Sequence, residues 1–154
     1  MLTVPETGSK APLFKAEDQN GEMVSLEDFK GKKVALYFYP KDNTPTCTTQ
    51  ACNFRDNYTL LQQRGIVVLG VSVDNIKSHK KFEQKFSLPF TLISDPEHEI
   101  ATKYGVWGLK KFKGREFMGV HRTTFLINEK GVIEHIITKV KSKEHTAQIL
   151  ELWK

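Results

Sequence analysis

One stretch limits the possible folds more than any other. Ile66 to Val73 (Ile-Val-Val-Leu-Gly-Val-Ser-Val) is β-branched and almost continuously apolar. Such a run suits a central strand covered on both faces, which requires helices above and below it. The neighbouring chain supplies them. Val34 to Tyr39 reads as a second buried strand, broken at Pro40. After a polar turn, Thr44-Pro45 starts a helix, with threonine as N-cap and proline at the first helical position. Phe54, Tyr58 and Leu61 recur every three or four residues and give that helix one buried face to about Gln63; Arg64-Gly65 closes it.

The flanking segments complete the pattern. Leu13 to Ser25 reads as a hairpin, with Asn20-Gly21 as a type I′ turn signal, and Leu26 to Phe29 as a single helical turn ended by Gly31. Asp74 or Asn75 caps a second helix carrying Phe82 and Phe86, and Phe90 to Ile93 is a short strand. Asp95-Pro96 opens a short helix with Ile100 and Tyr104 inward and Gly105 as its stop. Val106 to Gly119, rich in glycine and lysine, reads as a loop. Thr123 to Ile127 and Val132 to Ile137 form a second hairpin, and a last helix, capped near Ser142, buries Ile149, Leu150 and Trp153. Hairpin, then β-α-β-α-β, then β-β-α predicts an α/β fold: a thioredoxin-like three-layer α/β/α sandwich with a central mixed sheet and an N-terminal β-hairpin. The chain is expected to form one domain over residues 1–154.

Composition excludes several classes. No apolar run reaches the length of a membrane span, and Met1 to Glu6 lacks the pattern of a signal peptide. Two cysteines are too few for a secreted disulfide framework, so a reducing cytoplasm is the expected location. The net charge of +5 gathers at Lys77–Lys85, Lys110–Arg115 and Lys139–Lys143, read as solvated faces; no nucleic-acid partner is expected. Trp107 and Phe112 among lysines mimic a nucleic-acid stripe, but a loop packed near the active site explains them better. The five histidines have no ligand spacing and read as surface groups or groups around the site, so no metal is expected.

The chemistry centres on Cys47. The helix start puts it in the first turn, where backbone N–H groups lack partners and the helix dipole favours a thiolate. A second cysteine, Cys52, follows in the spacing Cys-x-x-x-x-Cys, not the Cys-x-x-Cys of a dithiol exchanger. Five helical residues separate the two by roughly 7.5 Å along the axis, beyond the ~7 Å a disulfide tolerates between Cα atoms. The pair joins only if the helix start unwinds. Oxidation of Cys47 to a sulfenic acid, captured by Cys52 after local unfolding, accommodates the spacing.

Pro40, Thr44 and Cys47 in the order Pro-x-x-x-Thr-x-x-Cys, with Arg122 opening a strand in Gly119-Val120-His121-Arg122-Thr123-Thr124-Phe125-Leu126, closely resemble the active site of peroxiredoxins. Cys52, Ser78-His79-Lys80-Lys81-Phe82, Leu88-Pro89-Phe90 and Tyr104-Gly105-Val106-Trp107-Gly108 look like the bacterioferritin comigratory protein (PrxQ) branch. The resemblance implies a cofactor-free thiol peroxidase for hydrogen peroxide and organic hydroperoxides, recycled by thioredoxin; a monomer is expected. It implies Cys47 as peroxidatic nucleophile and Cys52 as resolving cysteine. Thr44 would hydrogen-bond thiolate and peroxide, Arg122 would stabilise the thiolate and the departing oxygen, and Pro40 would shield the site. Gln50 stands where this branch commonly has glutamate; it can accept a bond from Arg122 but lends no charge.

Plainer roles stand beside these. Cys47 alone could be an inert buried thiol, Cys52 a space-filler, Arg122 an ordinary ion-pairing residue and Thr44 only a cap. The rival enzyme is a one-cysteine peroxidase resolved by an external thiol. The rival outside enzymes is a redox-sensing or basic binding module.

Overall fold

The computed structural model describes residues 4–153; Met1 to Thr3, part of the segment read as lacking a leader, and Lys154 lie outside the described residues. At the centre runs β3 (Lys33–Phe38), parallel to β4 (Ile66–Ser72) and antiparallel to β8 (Thr123–Ile127). β5 (Thr91–Ser94) and β9 (Ile133–Ile137) complete a mixed sheet in the order β5-β4-β3-β8-β9. Strand alternation divides the core. Val34, Leu36 and Phe38 point to one face, and Ala35, Tyr37 and Tyr39 to the other.

The second face is covered by α1 (Pro45–Asp56), α2 (Tyr58–Gln63), α3 (Ile76–Phe86) and α5 (His145–Leu152), which contribute Ala51, Phe54, Leu61, Phe82 and Ile149. The first face is covered by α4 (Glu99–Lys103) and by the N-terminal hairpin of β1 (Lys15–Glu17) and β2 (Met23–Ser25) with its following turn. The thioredoxin-like three-layer arrangement is as the sequence predicts. Among the described residues no helix is long and apolar enough to cross a membrane.

The close fit of the second face shows at Gly70. A Cβ there would meet the ring of Tyr37, on the neighbouring strand, at 2.9 Å. Glycine leaves room for that ring, which lies 4.9 Å from Phe54 and 5.3 Å from Tyr39 between centroids. An aromatic floor thus lies under α1. Full burial of Phe54 stabilises the fold by about 1.5–3 kcal/mol, whereas the Tyr37 hydroxyl is buried without a hydrogen-bond partner among the described residues.

Several local readings need correction. Val106 to Gly119 is not a loop but mostly a hairpin, β6 (Trp107–Phe112) and β7 (Arg115–Val120), turning through Lys113 and Gly114 at positive φ. The first hairpin does not use an Asn20-Gly21 type I′ turn. Only Gly21 of that pair has positive φ, and the Asp18 carboxylate organises the loop by accepting from the N–H groups of Asn20 and Glu22. The Cys47 helix stops at Asn57, whose side-chain amide donates to the Asn53 carbonyl, and resumes as α2. Asp95 does cap α4, bonding the N–H groups of Ile100 and Ala101, but the helix starts only at Glu99, after His98 in a left-handed conformation.

Candidate active site

β3 delivers the chain to Pro40, and the turn that follows is held by buried groups. The Asp42 carboxylate accepts from the hydroxyls of Tyr39 (2.6 Å) and Ser78 (2.8 Å) and from His79 Nδ1 (2.7 Å). The Asp42 N–H donates to Asp74 Oδ2 at 2.8 Å. Asn43 then takes a left-handed conformation, φ 58°, and α1 begins. Asp42, Asp74 and His79 offer possible metal-ligand atoms within 4.8 Å of one another, but these hydrogen bonds already engage them.

Thr44 is the backbone N-cap, its carbonyl accepting from the Thr48 N–H at 2.8 Å. Its hydroxyl does not cap the helix; it donates to the Lys41 carbonyl at 2.9 Å. Pro45 fills the first helical position, so Cys47 is the third helical residue, as expected, and is 2 % exposed. From across the sheet comes Arg122, set just before β8. Its Nη2 lies 3.2 Å from Cys47 Sγ and its Nη1 donates to Gln50 Oε1 at 2.6 Å. One guanidinium therefore grips two residues a helical turn apart on the same face of α1. The Gln50 Nε2, fully buried, has no hydrogen-bond partner among the described residues.

The structure thus brings Cys47, Gln50 and Arg122 together. Thr44 and Pro40 lie half-buried on the approach to α1. Cys52 is half-buried in the same unbroken helix, and both thiols are free.

Some neighbours were not legible in the sequence. The half-buried Lys110 of β6 donates to the Val120 carbonyl at 2.9 Å. Burial pushes its ammonium pKa down, the Arg122 charge adds to that, and Cys47 opposes it. Two histidines read as surface groups or groups around the site, His79 and His145, prove fully buried. Asp42 had a signal only in hindsight: an acid in the turn just before a Thr-Pro helix start.

A site of this kind places a sulfur at a helix N-terminus against a fixed positive charge, suited to nucleophilic attack with stabilisation of a departing oxyanion. The comparisons agree. A family model described as the AhpC/TSA family matches residues 7–136. The chain is 47% identical to peroxiredoxin Bcp of Bacillus subtilis over 149 residues, 97% of this chain and 95% of the relative. It is 45% identical to peroxiredoxin Bcp of Escherichia coli over 145 residues, 94% and 93% of the two chains. Among solved structures, a mutant of Xanthomonas campestris peroxiredoxin Q matches with a TM-score of 0.87 and 30% identity, covering 96% of this chain and 98% of that one. Peroxidoxin BcpB from Mycobacterium tuberculosis matches with a TM-score of 0.84 and 29% identity, covering 96% and 95%. Fold, sulfur site and relatives converge: this chain belongs to the AhpC/TSA family, in the Bcp (PrxQ) branch of the peroxiredoxins, which are thiol-dependent peroxidases.

Proposed function

We propose that this peroxidase reduces hydrogen peroxide and organic hydroperoxides through Cys47, resolves the product with Cys52 and is recycled by thioredoxin. The observation that carries the reading is the 3.2 Å approach of the Arg122 guanidinium to Cys47 Sγ. A positive charge at that distance favours negative charge on sulfur and, as the O–O bond breaks, on the leaving oxygen. The Cys47 thiolate attacks one peroxide oxygen; the other leaves, takes a proton and departs as water or alcohol. Cys47 becomes a sulfenic acid, oxidised by two electrons.

In this scheme Thr44 turns its hydroxyl from the Lys41 carbonyl to the peroxide, and Pro40 shields the sulfur from water. The Cys52 thiolate then attacks the sulfenic sulfur, forming the disulfide and releasing the oxygen as water. Because both cysteines lie in one helix, this step requires the start of α1 to unwind. A dithiol restores both thiols by exchange, becoming a disulfide itself. We place this cycle in a monomeric, single-domain protein of the reducing cytoplasm, where it serves antioxidant defence.

Two substitutions test the scheme. Cys47→Ser is expected to abolish peroxide consumption. Cys52→Ser is expected to leave the first turnover intact and to stop recycling by thioredoxin. Full recycling in Cys52→Ser would select the one-cysteine scheme with an external resolving thiol, and a wild type unable to consume peroxide would leave only a sensing or binding role.

A further inference from the structure

The β6–β7 hairpin holds a concentration of apolar surface found nowhere else among the described residues. Leu109, Phe112, Phe117 and Met118 are each between 46% and 64% exposed. Around them stand the exposed cations Lys111, Lys113 and Arg115, with Glu116 as the only acid in the hairpin. Register puts the paired Leu109 and Met118 on one side of the ribbon and Phe112 and Phe117 on the other. Its base is joined to the sulfur site. Lys110 Nζ bonds the Val120 carbonyl, His121 Nε2 donates to the Leu109 carbonyl at 3.1 Å, and Arg122 follows β7 by two residues. The base of the ribbon thus adjoins the segment that carries Arg122, and its tip, with Phe112 and Arg115, stands away from it.

We propose that this hairpin is the docking surface for the protein dithiol that reduces the oxidised enzyme, a partner with an apolar contact face rimmed by carboxylates. The inference rests on the proposed recycling by thioredoxin. A small peroxide needs no landing surface of this size, and the dithiol is the one macromolecule that the catalytic cycle requires. Exposed apolar patches of this kind mark interaction sites, and the cations select an acidic rim and speed encounter. The backbone argues for a protein over a lipid layer. β6 and β7 form a sheet of their own, so their outer edges have no strand partner among the described residues. Hydrocarbon leaves such edges unsatisfied, whereas a protein strand or loop can bond them.

The test compares two reductants in peroxide turnover by the full chain: thioredoxin, and dithiothreitol as a dithiol too small to need the hairpin. Phe112→Ser combined with Phe117→Ser, and separately Arg115→Glu, are expected to raise the KM for thioredoxin about ten-fold. The dithiothreitol-driven rate is expected to stay at the wild-type value, and the Arg115→Glu effect to shrink at high salt. An unchanged KM for thioredoxin in both variants overturns the docking surface while leaving recycling in place. A wild type reduced by dithiothreitol but not by thioredoxin removes the recycling reading, and the docking surface with it. Binding to anionic lipid vesicles that the same substitutions abolish, with KM for thioredoxin unmoved, assigns the hairpin to a membrane surface and overturns the proposal.

Discussion

His79 and His145 are equally inaccessible to solvent, yet the partners around them differ in kind. At His79 one ring nitrogen lies 2.7 Å from Asp42 Oδ2 and 3.5 Å from the Tyr39 hydroxyl, and the other 3.0 Å from the Ile93 carbonyl, so a buried carboxylate and a strand carbonyl hold the ring. At His145 one nitrogen donates to Gln148 Oε1 at 2.8 Å, while the other accepts from the Thr124 hydroxyl at 2.7 Å. One proton is enough there. Burial pushes its pKa down to about 4, against the Gln148 bond and with help from the Arg122 charge. The same residue type at the same burial serves different ends because the partners differ: His79 ties the turn before α1 to the Asp42 carboxylate, and His145 ties α5 to β8.

The largest effect should come from removing the Asp42 carboxylate. Asp42→Ala leaves Tyr39, Ser78 and His79 without their shared partner and should cost about 3–5 kcal/mol of stability, read from the urea midpoint. A cost under about 1 kcal/mol would mean that the two histidines are not so different after all. Next in size is the pH response of His145. Its folded pKa, about 4, lies below the ordinary value of 6.5. The unfolded chain therefore takes up the proton first as pH falls, and stability drops between about pH 6.5 and 4 by about 3 kcal/mol, then levels off. The difference between wild type and His145→Gln, measured by denaturant titration across that window, should show this slope; a flat difference would remove the contrast. Smallest is Ser78→Ala, which takes one of several donors from Asp42 and should cost about 1 kcal/mol. A loss as large as that of Asp42→Ala would show that the hydroxyl, not the imidazole, holds the turn.

Much of this was legible in the chain because local signals and global packing agree. The Thr44-Pro45 start locates Cys47 at the third helical residue, and the continuous apolar run from Ile66 places β4 inside the sheet. The meeting of Arg122 with Cys47 was legible only through resemblance, since 75 positions separate them and no periodicity links them. The β6–β7 hairpin was missed for a physical reason. Strands are recognised by one dry and one wet face, and this ribbon exposes apolar groups on both, with glycine and lysine between them. The buried histidines escaped because their burial depends on Asp42, Ile93 and Thr124, partners supplied by other elements of the fold.

The missing side chain at position 70 has a consequence for how such sequences drift. The Tyr37 ring occupies the space that any larger residue there would claim, so the two sites share a single volume. A methyl at 70 would force the Tyr37 ring to move, so a substitution at either position changes what the other can accept.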